Sequence, residues 1–515
     1  MSSLGRTRAP RRVMADETTP LIVSYDTKHS IHTLRKSAAR QILLIATLSC
    51  AGLLNIFTVQ STVIILPLVV RYLSIPTNRQ QLVISTYSIA SGCLILLWGR
   101  IADIYGRKNI FLIGSIMFAL ATAAAPFACS EVMFYFFRIL QGCSSAATVP
   151  SAIGVITTTF LPGKMRDYAY VSFTAACGVG SVLGNISGGF IGSYLSWRWT
   201  FWIPACIASL VTLTGYFIIP AAKNPKNDSS GGEDAHQHVD WTGGMLVSAG
   251  VALLLIGLSQ VHDNDWSGWR IVIIFIVSAV LLQAFVLWEC NMEDSAECSP
   301  LMKMSMFRNS KFSAAFVIIG CFYGSFNSFL VFASLFYQDY LGFTVLETTT
   351  RFLPAGIVGV LACFAMAPIL SLFPRFYFLL FGMACGITSP LLFALPNIPP
   401  FTPYWLRGFP AMCLCLSADI IWPVMGLFMS QSVPQKSQSL AAGLLQTANQ
   451  VGRSMGIAVS AAVQLAFQGQ PESGHPLLRD PDLLRGLRAA QWMNAGLVML
   501  ALGVAVIFFR DVESF

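Results

Sequence analysis

The sequence predicts an all-α integral membrane protein with 14 transmembrane helices, two pseudo-symmetric six-helix bundles plus an inserted helix pair. Three observations predict it: a composition too apolar for water, fourteen apolar stretches of spanning length, and a gap-free internal repeat. Of 515 residues, 55% are hydrophobic and 11% charged, and the mean hydropathy is +0.66. Soluble proteins carry about 25% charged residues. Charge is costly in a bilayer core, so a chain this poor in it belongs in lipid.

A hydrocarbon core about 30 Å thick takes roughly 20 apolar residues of helix. Residues 1–40 are polar and basic (Arg6, Arg8, Arg11, Arg12, Arg35, Lys36, Arg40) and read as a disordered cytosolic tail without a cleavable signal. Six spans follow near 43–66, 82–98, 109–128, 133–158, 168–192 and 199–220, giving an N-terminal bundle over 41–220. A polar linker, 221–240, precedes two spans near 242–260 and 270–289, the inserted pair of 241–290. A mixed loop, 291–311, leads to six more spans near 312–336, 353–371, 376–395, 406–430, 439–466 and 491–509, the C-terminal bundle of 312–510. The connection 467–490 is long enough for a short surface helix of its own.

An even number of spans puts both termini on one side, and lysine and arginine choose the side. With cytosolic termini the inner segments hold 21 basic residues and the outer loops 9, and all nine lysines are inner. Internal similarity supports the grouping. At an offset of 272, 162–184 matches 434–456 in Pro162/Pro434, Lys164/Lys436, Ala169/Ala441, Ala176/Ala448, Val179/Val451, Gly180/Gly452 and Gly184/Gly456. Parallel six-helix repeats build the halves of many secondary transporters.

Composition also excludes function classes. The net charge of +8 is scattered between apolar runs rather than gathered on a face, so no nucleic-acid partner is expected. The 13 cysteines are spread singly, without metal-ligand spacing, and read as small buried residues; no metal is expected. No nucleophile elbow or phosphate-cradling Walker loop occurs, so the chain is read as no enzyme and no ATP-driven pump. The expected partner of so apolar a chain is the lipid bilayer, with a monomer as the expected state.

Between the second and third spans lies Gly99-Arg100-Ile101-Ala102-Asp103-Ile104-Tyr105-Gly106-Arg107-Lys108. Its glycines allow a tight turn, Asp103 suits a helix N-terminus, and Arg107 and Lys108 suit a cytosolic face. The fourth span contains Arg138-Ile139-Leu140-Gln141-Gly142. An arginine there costs at least about 2.5–3.5 kcal/mol on insertion scales, so it either finds a cavity or partner, or snorkels from a helix end. The fifth span carries Gly180, Gly184, Asn185, Gly188 and Gly189, a small-residue face that lets helices approach closely. Trp197-Arg198-Trp199-Thr200-Phe201-Trp202 follows, suited also to an interfacial aromatic belt.

These stretches resemble motifs of the major facilitator superfamily, in its fourteen-helix drug:proton antiporter subfamily. The first resembles the signature loop G-x-L-A-D-R-x-G-R-R, which implies that Gly99, Asp103, Gly106, Arg107 and Lys108 form an ion-pair latch working during alternating access. It departs at Ile104, where the family has a basic residue. The second resembles R-x-x-Q-G, implying that Arg138 and Gln141 take part in proton transfer. The third resembles the antiporter motif G-x-x-x-G-P-x-x-G-G, with Asn185 where the proline stands. The resemblance covers about 41–510 and is most specific over 82–205. The wider texture is similar to fungal exporters of toxins, azoles or secondary metabolites. It implies protons and a small amphiphilic organic substrate as partners, and no cofactor beyond a proton gradient.

The aspartate that many such exporters carry in the first span is absent; Gln60 occupies the corresponding stretch. Asp419 is the clear acid within a span, either a reversible proton site or an inert hydrogen-bonded group. No histidine falls within a span. Asn55, Gln60, Gln141, Asn185, Asn327, Gln446 and Asn449 are the polar cavity candidates, and Arg453 either attracts an anionic substrate or pairs with an acid across the halves. Aromatic residues, 12% of the chain, supply apolar walls. Export by proton antiport is the main expectation; the alternatives are an importer, symporter or facilitator for a nutrient or siderophore, and more distantly a membrane-embedded enzyme or transporter-like sensor. The plasma membrane is the default location, with a vacuolar or vesicular membrane carrying the same signature.

Overall fold

The structure, a computed structural model, describes residues 38–76, 82–160, 163–220, 239–260, 269–294, 301–302, 304–369, 374–395, 401–432, 438–468 and 481–510. The bulk of the expected tail, the linker 221–238, all six histidines and the first residues of both repeat copies lie outside them. Among the described residues every regular element is helical. In chain order these are α1 (Ala38–Leu73), α2 (Leu82–Tyr105), α3 (Arg107–Ala124), α4 (Glu131–Thr159), α5 (Lys164–Tyr194) and α6 (Trp199–Ile218). Then come α7 (Trp241–Gln260), α8 (Trp269–Asp294), α9 (Ser310–Leu335), α10 (Val345–Ile369) and α11 (Arg375–Ala394). The chain ends with α12 (Gly408–Cys413), α13 (Ser417–Gln431), α14 (Gln438–Gln468) and α15 (Pro481–Phe509).

Local chemistry sets the boundaries. Ser130 caps α4, its Oγ accepting the Met133 N–H at 3.3 Å with Glu131 in the first turn. Asn309 does the same for α9, its Oδ1 accepting from Lys311 N at 3.1 Å. Gly106 separates α2 from α3 at φ +99, a backbone that other residues avoid. A 3-10 turn, Leu414–Leu416, separates α12 from α13, so the twelfth expected span is broken in its middle.

Twelve helical segments among the described residues are long and apolar enough to cross a membrane, which makes this an integral multi-pass protein. The remaining expected spans, 353–371 and 439–466, coincide with α10 and α14, helices of 25 and 31 residues outside those twelve. In α14 the amides of Gln446, Asn449 and Gln450 and the charge of Arg453 lower the mean hydropathy. The expectation of a separate surface helix within 467–490 is corrected from residue 481 onward. There α15 begins ten residues before its expected span, continuous through Asp482 and Arg485, which pair 2.5 Å apart one turn into the helix. Residues 469–480 lie outside the described set.

The packing needs close backbone approach. A Cβ on Gly180 would strike the Leu53 carbonyl of α1, and one on Gly184 or Gly188 would meet Phe57 O at 2.8 Å or Ser61 O at 3.0 Å. The repeat-aligned Gly452 and Gly456 of α14 press likewise on Gly320 and Gly324 of α9. Between the first six helices and the last, α2 packs on α14 while α5 packs on α10 and α13. The pair α7 and α8 lies against the edge of the first of these contacts, with α7 touching both α2 and α14.

Candidate functional site

The turn between α2 and α3 defines one end of the bundle, here the latch end. Asp103 is buried, with 1% of its side chain exposed. Its Oδ1 accepts from Arg107 Nε at 3.0 Å and Nη2 at 2.8 Å. The same carboxylate accepts the first free N–H groups of α14, from Ser439 N to Oδ1 at 3.3 Å and Leu440 N to Oδ2 at 3.0 Å. Asp103 therefore caps a helix, but one 336 residues away rather than its own neighbour α3. An anion at a helix N-terminus satisfies orphan donors and the positive end of the dipole together. Arg107 Nε also donates to Ser439 Oγ at 3.0 Å, and Gly99 lets the Ser439 carbonyl approach to where a methyl would be 2.9 Å away. Lys108 takes a different partner, donating to Tyr216 O at 2.8 Å. A second bolt at the same end joins Asp167 of α5 to Arg375 of α11 at 3.4 Å.

Arg138 neither snorkels nor lines an open cavity. It is 0% exposed within the first six helices, its Nε donating to Val83 O at 3.1 Å and Nη1 to Gln141 Oε1 at 2.9 Å. Its guanidinium stacks over Tyr87 at 4.9 Å, and Nη2 has no partner among the described residues. Gln141 passes the chain on to Thr122 Oγ1 at 3.2 Å. Asn55 belongs to the same buried network, accepting from Tyr87 Oη at 3.2 Å, and is not a wall of the seam. Gln60 bridges α1 to α5 by donating to Ser181 Oγ at 3.2 Å. Asn327 is turned back on its own helix, donating to Tyr323 O at 2.8 Å.

Asp419 stands in the first turn of α13, between α5 and α10. Glycines make its room: a Cβ on Gly359 would meet Oδ2 at 2.5 Å and one on Gly178 would meet Oδ1 at 3.4 Å. Along α14, Gln446, Asn449, Gln450 and Arg453 share one face, half-buried and opposite the exposed Met455 and Val459. Gln450 Nε2 donates to Ser88 O of α2 at 3.5 Å, while Gln446, Asn449 and Arg453 have no hydrogen-bond partner among the described residues. No acid across the seam pairs with Arg453 among them. The surroundings of Asn185 and Gly189 lie outside the described set.

Two clusters escape a reading of the sequence. Asp240 and Glu289 meet at the latch end of α7 and α8, although the apolar run makes Glu289 no more than the last residue of a span. At the opposite end the buried Arg407 lies over Phe336 and Phe393 at 4.3 and 5.1 Å. The signal available was a charge close to an aromatic at a span boundary, Trp288-Glu289 in one case and Trp405-Leu406-Arg407 in the other.

Membrane-crossing helices, with earlier and later ones meeting along a seam that Asp103 ties through its hydrogen bonds to α14, define a polytopic membrane protein. Residues 48–457 match the Major Facilitator Superfamily, and the chain belongs to that family. It is 26% identical to the low affinity ammonium transporter of Saccharomyces cerevisiae, covering 84% of this chain and 81% of that one. It is 25% identical to the efflux pump terJ of Aspergillus terreus, over 93% and 90% of the two chains. The crystal structure of the human organic anion transporter MFSD10 shares the fold at 14% identity, with a TM-score of 0.64, covering 90% of this chain and 99% of that one. Family and structural neighbours alike are transporters rather than enzymes.

Proposed function

We propose that this facilitator-family transporter exports small organic molecules from the cytosol by proton antiport and alternating access, through fourteen spans with both termini cytosolic. The observation that carries the reading is Asp419, a carboxyl held where α13, α5 and α10 meet. A proton bound there changes the charge at the seam the two groups of helices must open and close. The amides and guanidinium on one face of α14 are the groups that would meet substrate, since half-buried polar groups with open hydrogen-bonding capacity can orient a ligand. In this orientation the latch end is cytosolic, and with its ion pairs made the conformation is one closed to the cytosol. Arg138 and Gln141, isolated from the seam by burial, act as positioning residues for α2 and α4. The relatives support transport of small molecules but differ in cargo, an ammonium transporter on one side and an efflux pump on the other.

The test is flux of a fluorescent amphiphilic drug in proteoliposomes under an imposed pH gradient, for wild type and Asp419→Asn. Uphill movement by wild type that the variant loses supports antiport through Asp419. Downhill movement indifferent to pH in both replaces the reading with a facilitator, and inward accumulation replaces it with an importer.

A further inference from the structure

Away from the seam, a pair of carboxyls is buried where α7 and α8 meet the latch end of α2. Asp240 caps α7, its Oδ1 accepting from Gly243 N at 2.9 Å, while Oδ2 accepts from Trp288 Nε1 at 3.0 Å. Glu289 of α8 is 0% exposed; its Oε2 accepts from Met302 N at 3.2 Å, and its Oε1 has no hydrogen-bond partner among the described residues. That orphan oxygen and Asp240 Oδ2 are neighbours at one point of α7. Both converge on Gly243, where an added methyl would strike Asp240 Oδ2 and stand 2.6 Å from Glu289 Oε1. The missing side chain at Gly243 is what lets the two acids come together.

Two ionised carboxylates cannot share a buried site without a cation bonded between them. The charged group that faces Glu289 from outside the pair is Arg100 of α2, which acts on it through space and forms no ion pair with it. Asp103, in the latch, acts on the same arginine through space. Glu293, a turn further along α8, is occupied with Ser305 N at 3.1 Å. One arrangement satisfies every atom: a proton on Glu289 Oε1 donated to Asp240 Oδ2, leaving a single negative charge for Arg100 to offset.

We propose that Asp240 and Glu289 form a proton-binding site separate from the seam, holding one proton between them and linked to the latch through Arg100. Because Arg100 interacts through space with both Glu289 and Asp103, protonation of the pair and closure of the latch shift one another by the same factor. The site goes beyond the export reading, since it binds a proton whichever way cargo moves. It also gives the inserted helix pair a role, because α7 and α8 then carry a titratable contact to the gate.

The probe is the proton itself. Infrared spectra of the full chain in lipid nanodiscs, titrated in pH, follow the carbonyl band of a protonated buried carboxyl. In the Asp419→Asn background, which removes the seam carboxyl, the chain is expected to show a band that titrates as one proton and is absent when Glu289→Gln is added. Asp240→Asn removes the neighbouring negative charge and lowers the midpoint pH, the proton concentration at half-titration rising about tenfold or more. Arg100→Gln raises it, and Asp103→Asn lowers it through the freed arginine. No titrating band in that background, the same band with Glu289→Gln added, or an unmoved midpoint in Asp240→Asn overturns the site; unmoved midpoints in both Arg100→Gln and Asp103→Asn overturn its link to the latch. Should Glu289→Gln fail to fold, the background titration and the Asp240→Asn midpoint still decide.

Discussion

Arg138 is a full charge in a membrane helix whose partners are a carbonyl, an amide and an aromatic face. None of these supplies a negative charge, so the guanidinium is held at a cost in stability. Replacing a buried charge by an apolar side chain of similar volume is often neutral or stabilising. Arg138→Met is therefore expected to keep or raise the thermal unfolding temperature while transport falls, measured on the purified protein and in liposomes. A loss of several degrees would instead make the arginine structural. Glu347 offers a second case, outside the expected span. It and Thr344 cap each other: Thr344 N donates to Glu347 Oε2 at 2.8 Å, and Glu347 N to Thr344 Oγ1 at 3.3 Å. That backbone bond holds the Glu347 carboxyl below its ordinary pKa. The cap's contribution is present above the unfolded carboxylate range and lost as pH falls through the lowered value. Hydrogen-exchange protection in the first turn of α10, measured against the intrinsic rate at each pH, should therefore fall only in acid, and Glu347→Gln should remove that dependence.

At the scale of elements, glycine decides which helices can touch. α5 approaches α1 through Gly180, Gly184 and Gly188, and α14 approaches α9 through Gly452 and Gly456. A methyl at Gly452 meets backbone rather than a movable side chain, so α14 must shift bodily. Overpacking of this kind costs about 1–3 kcal/mol. Gly452→Ala should lower the unfolding temperature clearly, whereas Gly496→Ala on α15, with open space around it, should not. Residue spacing predicts such a stripe, but not its partner. The glycines of α5 read equally well as an antiporter signature and as close packing, and the structure assigns them the contact with α1.

At the scale of the whole molecule, the latch joins residues more than three hundred positions apart. Asp103 loses one charge-assisted acceptor role and keeps its shape in Asp103→Asn, and hydrogen bonds to charged groups are worth about 1.5–3 kcal/mol each. That variant should loosen the latch end, seen as lost hydrogen-exchange protection at the first amides of α14, Ser439 and Leu440, relative to the lower rate in wild type. An unchanged rate would mean that Asp167 and Arg375 suffice to hold the end shut.

Apolar length and the distribution of charge depend on neighbours along the chain, so membrane insertion, the helices and the family motifs were readable from the sequence. So were the helix-turn-helix at Gly106 and the proximity of Arg138 to Gln141, which sit one turn apart. Partnership across the fold was not. Asp103 at the N-terminus of α14, Asp419 between two glycines, Asp167 with Arg375, and Glu289 against Asp240 are each meetings of residues far apart in sequence. A charge carries no mark of the charge it will face, because that choice is made by helix packing. Only the tertiary structure could separate the buried Arg138 from the unpartnered Arg453, two arginines that look alike within their spans.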